Sequence, residues 1–186
     1  TPYIYLNQAK MDEINQAKMC EISKALNYGS SLLHTKYLWW KDDDTNPDYI
    51  FYVNGVPSIT DIRNKGVNCA GFINLVRQSI GRTMIEPAGE VGKIYPGGTG
   101  YWYELLSSRN VLENYDKDKK YTRGTLLMRK YRNEIDQGHV AIVFNECQNV
   151  IHSYWDDCNN NGVDITKIIP DYYEYAIKPE DWLLCD

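Results

Sequence analysis

Three side chains in this sequence have the types and neighbours that nucleophilic catalysis needs: Cys69, His139 and His152. Cys69 follows Asn68 and opens the run 69–80, where Phe72, Ile73, Val76 and Ile80 repeat at helical spacing while Arg77 and Gln78 fall off that face. Asn68 is a good N-cap residue, and Gly81 is placed to end the helix. A cysteine in a first helical turn meets unpaired backbone N–H groups and the positive end of the helix dipole, which favour thiolate over thiol. The thiolate is the attacking species, and the same N–H groups can hold the oxyanion formed on a carbonyl. His139 follows Gly138 and opens a short apolar strand, 139–144, and His152 lies in the next one, 150–155. If these strands pair as a hairpin, His152 lies beside His139 and can hold it in the required tautomer, the role of a third catalytic member. Each feature is unspecific alone. The chain has three histidines, and two of them fall in consecutive strands downstream of a helix-opening cysteine.

The elements that must position these groups are readable in outline. Residues 11–33 carry Ile14, Ala17, Ile22, Ala25, Leu26, Leu32 and Leu33 near helical spacing, with Gly29 placed to interrupt the helix. An aromatic segment, Tyr37-Leu38-Trp39-Trp40, follows. The polar stretch 41–66 exceeds an ordinary connection and reads as an inserted loop or hairpin; Tyr49, Val53 and the Asn54-Gly55 turn favour the hairpin. A Gly- and Pro-rich region leads to a helix near 101–108. Beyond it the period changes, and 125–131, 139–144, 150–155 and 173–177 read as strands of an antiparallel sheet. Helices first and strands later predict an α+β class, with the helix of Cys69 packed on the sheet. The length suits one domain, 1–186, in which 1–20 is a helical N-terminal extension, expected to be a monomer.

Composition narrows the function. The formal net charge of −5 argues against a basic surface for nucleic acid. No apolar run approaches the roughly 18 residues of a membrane span, and no export signal is visible, so the compartment stays open. Five cysteines leave at least one unpaired within the chain, and positions 20, 69, 147, 158 and 185 form no CxxC pair, which argues against a zinc site. Cys147, Cys158 and Cys185 read as buried thiols or partly disulfide-linked. Residues 157–162 match the first half of a calcium loop, but Ile168 stands where its bidentate carboxylate belongs, so a polar turn is the better reading. No metal or cofactor is expected. The 16 tyrosines suit either a groove for a polar polymer or ordinary packing.

Taken in order, these segments resemble the NlpC/P60 family of papain-like cell-wall peptidases. Asn68-Cys69-Ala70-Gly71-Phe72-Ile73 resembles its "DCSGFV" nucleophile motif, and Gly138-His139-Val140-Ala141-Ile142-Val143 its "GHVGIY". Val150-Ile151-His152-Ser153 resembles "VIHA", and Gly124-Thr125-Leu126-Leu127 takes the place of the "PGDLVFF" strand. The stretch from Ala25 through Trp39 resembles the leading helix and the "GTPYVWGG" segment. The resemblance implies Cys69 as nucleophile, His139 as base and then acid, and His152 as orienting residue. It implies Tyr37 at the oxyanion site and Asn68 beside the nucleophile. It further implies hydrolysis of an amide or isopeptide bond in peptidoglycan stem peptides, of the γ-D-glutamyl–diamino acid type, by a secreted or cell-wall-directed protein. Asn68 and Ala70 replace the family's Asp and Ser, and 41–66 is longer than the family's connection. A CHAP-like amidase, an acyltransferase or deamidating toxin with the same Cys–His pair, and a catalytically silent binding protein stay open as alternatives.

Overall fold

Helix α1 (Pro2–Ser31) leads the fold. The structure is a computed structural model that describes residues 2–38, 56–83, 85, 98–133, 135–156 and 161–186, with side chains from residue 7 onward. The first half of α1 is exposed, with Met11, Ile14 and Met19 in solvent, whereas Ala25, Leu26 and the following Leu32 are buried. Gly29 does not interrupt the helix. A Cβ there would stand 3.2 Å from the Phe72 ring, so the missing side chain lets two helices approach closely.

Helix α2 (Ile59–Lys65) lies within the stretch read as a loop or hairpin. It has a local cap, since Ser58 Oγ accepts from Asp61 N at 3.1 Å, and it buries only Ile62. So short a helix leaves too little periodicity to stand out in a polar stretch. The hairpin around Asn54-Gly55 lies outside the described residues, as do Trp39, Trp40 and most of the calcium-like stretch. Helix α3 (Cys69–Ser79) runs as predicted and packs against α1 and the sheet. Arg77 corrects the amphipathic reading, because it is fully buried. Its guanidinium donates to the backbone carbonyls of Thr83, Trp182 and Cys185, so a charged side chain anchors the C-terminal segment from inside. Helix α4 (Gly98–Ser108) begins three residues earlier than predicted.

The sheet has six antiparallel strands: β1 (Glu113–Asn114), β2 (Leu126–Arg129), β3 (His139–Val143), β4 (Asn149–Ser153), β5 (Val163–Lys167) and β6 (Tyr175–Ile177), in the order β1-β6-β2-β3-β4-β5. A short helix, α5 (Pro179–Trp182), follows. The chain is α+β. Strands β1 and β5 were not predicted, and both lie at sheet edges where burial is partial and the apolar pattern weak. The sheet separates two apolar clusters. Val140, Ile142 and Ile151 join the helices in the larger one, while Ala141, Val143 and Val150 join Tyr121 and Tyr173 in the smaller. Cys20, Cys69, Cys147 and Cys185 are free thiols; Cys20 is exposed, and Cys147 is exposed rather than buried. Among the described residues no helix is long and apolar enough to cross a membrane.

Candidate active site

The helix start that carries Cys69 is built locally and then tied down. Asn68 takes an extended conformation, and its side-chain oxygen accepts from Gly71 N at 2.7 Å, the predicted cap. Just before it, Val67 is held from two sides: Ser153 Oγ donates to its carbonyl at 2.6 Å, and its N–H reaches Lys36 O at 3.1 Å. The first contact bolts the helix start to β4, one residue from His152. The second ties it to the segment 34–38, which runs between Val67 and β5 because Val163 N donates to Thr35 O at 2.9 Å. Gly162 is required there, since any Cβ would overlap the Thr35 carbonyl oxygen. This threading brings Tyr37 to the site.

Cys69 is 9% exposed, and its sulfur contacts Thr99 Oγ1 at 3.6 Å. The backbone N–H groups of Val140, Ala70 and Cys69 favour the thiolate. Burial nevertheless pushes the thiol up, and these donors oppose the rise without cancelling it. The helix start alone therefore does not make a thiolate, contrary to the expectation from the dipole. The resting group is a thiol.

The histidines are placed by the sheet. Gly138 adopts φ +76°, and a Cβ there would overlap Arg129 O and lie 2.7 Å from Tyr131 N, so only glycine fits before His139. Strands β3 and β4 pair as expected, with Ile142 opposite Ile151. His139 Nε2 and His152 Nδ1 are 2.6 Å apart, and His152 Nε2 lies 2.9 Å from Thr166 Oγ1 on β5. Tyr154 stacks on His152 at 4.5 Å between centroids, while Tyr172 and Tyr173 flank His139 at 6.1 and 6.3 Å. Both rings are buried. Burial lowers His139 to about 4, and burial followed by the neighbouring His139 charge holds His152 well below the ordinary imidazole range. At neutral pH both are uncharged, so a lone pair is available to take a thiol proton.

A polar clamp fixes the far wall. Arg129 forms a two-point ion pair with Asp136, at 2.7 and 3.2 Å, and donates to Tyr172 O at 3.2 Å. Arg132 joins Asp136 to Glu174, with 2.7 Å to the latter. The clamp ties the loop before His139 to the segment before β6 and keeps Tyr172 over the site. Burial, with the Cys69 sulfur as second cause, pushes the Tyr172 hydroxyl up to about 12.

All five residues named from the sequence line one groove of about 360 Å³: Cys69, His139, His152, Tyr37 and Asn68. The Tyr37 ring meets Trp155 edge to face at 5.9 Å. Thr99, Thr166, Tyr172 and Tyr173 were not foreseen. Thr166 sits on an unpredicted strand, and Thr99 opens α4 where Gly98 packs on Ala70 so closely that a Cβ would overlap it. Tyr173 falls in the predicted strand 173–177, but β6 starts only at Tyr175, so Tyr172 and Tyr173 are left on the segment before it, over the groove. Among the described residues no group of three or more His, Cys, Asp or Glu side chains is arranged to hold a metal ion.

No protein-family model and no curated protein matches this sequence. Solved structures of NlpC/P60 family proteins resemble the fold. One, from Bacillus cereus ATCC 10987, is 21% identical with a TM-score of 0.47, over 87% of this chain and 40% of that one. Another, from Staphylococcus aureus subsp. aureus Mu50 and described as similar to a lipoprotein of the NLP/P60 family, is 11% identical with a TM-score of 0.46, over 85% of this chain and 41% of that one. The chain thus spans about two fifths of the length of either protein.

Proposed function

We propose that this protein is a cysteine hydrolase that cleaves an amide or isopeptide bond through a thioester. One observation carries the reading: a helix-opening cysteine, whose sulfur contacts Thr99 Oγ1, shares a groove with a buried, neutral His139–His152 pair joined at 2.6 Å. In the proposed cycle His139 takes the Cys69 proton as the sulfur attacks the carbonyl carbon. The oxyanion is held by backbone N–H at the start of α3, with the Tyr37 hydroxyl as a second donor. His139 then gives its proton to the leaving amine as the C–N bond breaks. Water, deprotonated by the same ring, attacks the thioester and releases the acid and the thiol. His152 orients His139, and Asn68 holds the helix start. No cofactor takes part.

The motif resemblance makes peptidoglycan stem peptides the first substrate class to test. Purified muropeptides incubated with the protein and analysed by mass spectrometry are expected to give fragments from cleavage inside the stem, lost in Cys69→Ala. Intact muropeptides, with Cys69 still selectively alkylated, would exclude that substrate and leave the hydrolase.

One observation favours a second reading. Ile135 is 99% exposed, Ile169 57% and Trp155 43%, and all three line this groove. Asp136 is the acidic lining residue described there, and Arg129 and Arg132 neutralise it. An apolar mouth with balanced charge suits an apolar acyl group, handed to an acceptor other than water by the same thioester chemistry. Nitrophenyl esters separate the readings. A strong preference for octanoyl over succinyl esters, with transfer to added amines, supports the acyltransferase.

A further inference from the structure

This inference rests on His139 as the base and concerns what prepares it. Two imidazoles with facing nitrogens 2.6 Å apart share one proton, and the ring that donates it determines what the other nitrogen of His139 can do. If His139 donates from Nε2, its Nδ1 keeps a lone pair and can accept a proton. If His152 donates from Nδ1, neutral His139 must carry its proton on Nδ1 and cannot take one there.

The far end of the chain decides between these states. Thr166 Oγ1 lies 2.9 Å from His152 Nε2, and Lys167 O, 3.4 Å away, is a second acceptor within reach of its hydroxyl. A hydroxyl has one proton. With that proton toward Lys167 O, Oγ1 offers His152 only a lone pair, so His152 must be protonated on Nε2 and bare on Nδ1. The bare nitrogen accepts from His139 Nε2, and His139 Nδ1 is left as the basic atom. The backbone fixes the contact itself: Thr166 pairs with Val150 and Asp164 with His152, so β5 and β4 hold Oγ1 beside the ring. The branched Cβ of threonine holds Oγ1 to few positions.

We propose that Thr166 is a positioning residue that sets the proton polarity of the histidine pair, making His139 Nδ1 the atom that receives the Cys69 proton. The balance is complete. His139 gains one proton from the thiol, becomes imidazolium, and still donates from Nε2 to His152 Nδ1, whose own Nε2 proton stays on the Thr166 lone pair.

The test compares wild type, Thr166→Val and Thr166→Ser in the full 186-residue chain. Valine keeps the shape and loses the hydroxyl; serine restores it. In long-range proton–nitrogen spectra of histidine-labelled protein, wild type is expected to show His139 protonated on Nε2 and bare on Nδ1. Thr166→Val should show a mixture of tautomers, and alkylation of Cys69 by iodoacetamide should slow by at least tenfold, short of the ~10⁴-fold cost of a wholly wrong tautomer. Thr166→Ser should recover both. An unchanged His139 tautomer in a folded Thr166→Val protein, or a serine variant no better than valine, overturns the proposal. A His139→Ala protein alkylated at the wild-type rate would instead remove the base reading, and the tautomer spectra would still decide the role of Thr166.

Discussion

The helix start that carries Cys69 is capped by its neighbour in sequence, whereas His139 and His152 are walled in mostly by residues distant in sequence. Asn68 caps the helix one residue before Cys69, and the N–H groups of Cys69 and Ala70 favour its thiolate. The histidine side draws on Gly138 for a turn, on Tyr172 and Tyr173 for a wall, and on Thr166 across two strands. The two regions also differ in electrostatics. Both are buried, but burial raises the thiol and lowers the imidazoles, so each favours its uncharged form. Neither region is reactive by itself. A thiol kept neutral on one side and a base kept neutral on the other suit a site in which charge forms only when a carbonyl is attacked.

The sharpest way to break this comparison is to remove the proposed base. His139→Ala is expected to lower Cys69 alkylation and any hydrolysis by roughly 10²–10⁴-fold, the range of a general base. Peptide mapping after iodoacetamide treatment checks it, with exposed Cys20 and Cys147 as internal references. Full reactivity without His139 would mean that the helix start activates the thiol alone.

Next in size is the turn that delivers the histidine. Gly138→Ala should cost about 3 kcal/mol or more, because a strained φ is compounded by overlap with Arg129 O. Gly81 has a similar φ of +81° but open space around its Cβ position, and Gly81→Ala should cost only about 1 kcal/mol. Urea unfolding of the two variants measures the difference, and equal costs would show that the turn before His139 is no tighter than a helix end.

The electrostatic contrast predicts a pH dependence. The histidine pKa values are depressed in the folded state, so the unfolded chain binds more protons once pH drops below the ordinary histidine value near 6.5. Stability is fully present above that value and is lost as pH falls toward the folded value of about 4 for His139, by on the order of 3 kcal/mol. Denaturant unfolding at pH 7 and pH 4.5 tests the sign, and a His139→Asn/His152→Asn protein should show a flatter profile.

The smallest effect belongs to the cap. Asn68→Ala should cost about 1 kcal/mol, while Asn68→Asp, which keeps the acceptor, should cost little. Thermal unfolding distinguishes them. A loss in Asn68→Asp as large as in Asn68→Ala would show that the amide serves more than the cap.

The same contrast explains which parts of the site were legible. The run Asn68-Cys69 through Ile80 announces a capped helix because a cap, a hydrophobic period and a terminal glycine are all local signals. The strands of His139 and His152 were visible as short apolar runs, and their pairing followed from adjacency. Strand β5 was not visible: only Val163 in it is fully buried, and an edge strand needs little hydrophobicity once β4 supplies its hydrogen bonds. Thr166 was therefore missed. Arg77 was misjudged because carbonyls of Thr83, Trp182 and Cys185 solvate its charge inside the protein, and none of them is near it in sequence except Thr83.

By itself, then, the sequence determined that Cys69 opens a capped helix, that two histidines sit in consecutive strands, and that the class is α+β. Those are matters of period, cap and turn, which short-range backbone physics decides. The tertiary structure alone decided that Cys69 rests as a thiol, that the histidines stay neutral, and which tyrosines and threonines surround them. Protonation depends on how much water the assembled groove excludes and on which donors it aims at each atom, and neither exists until distant segments have packed.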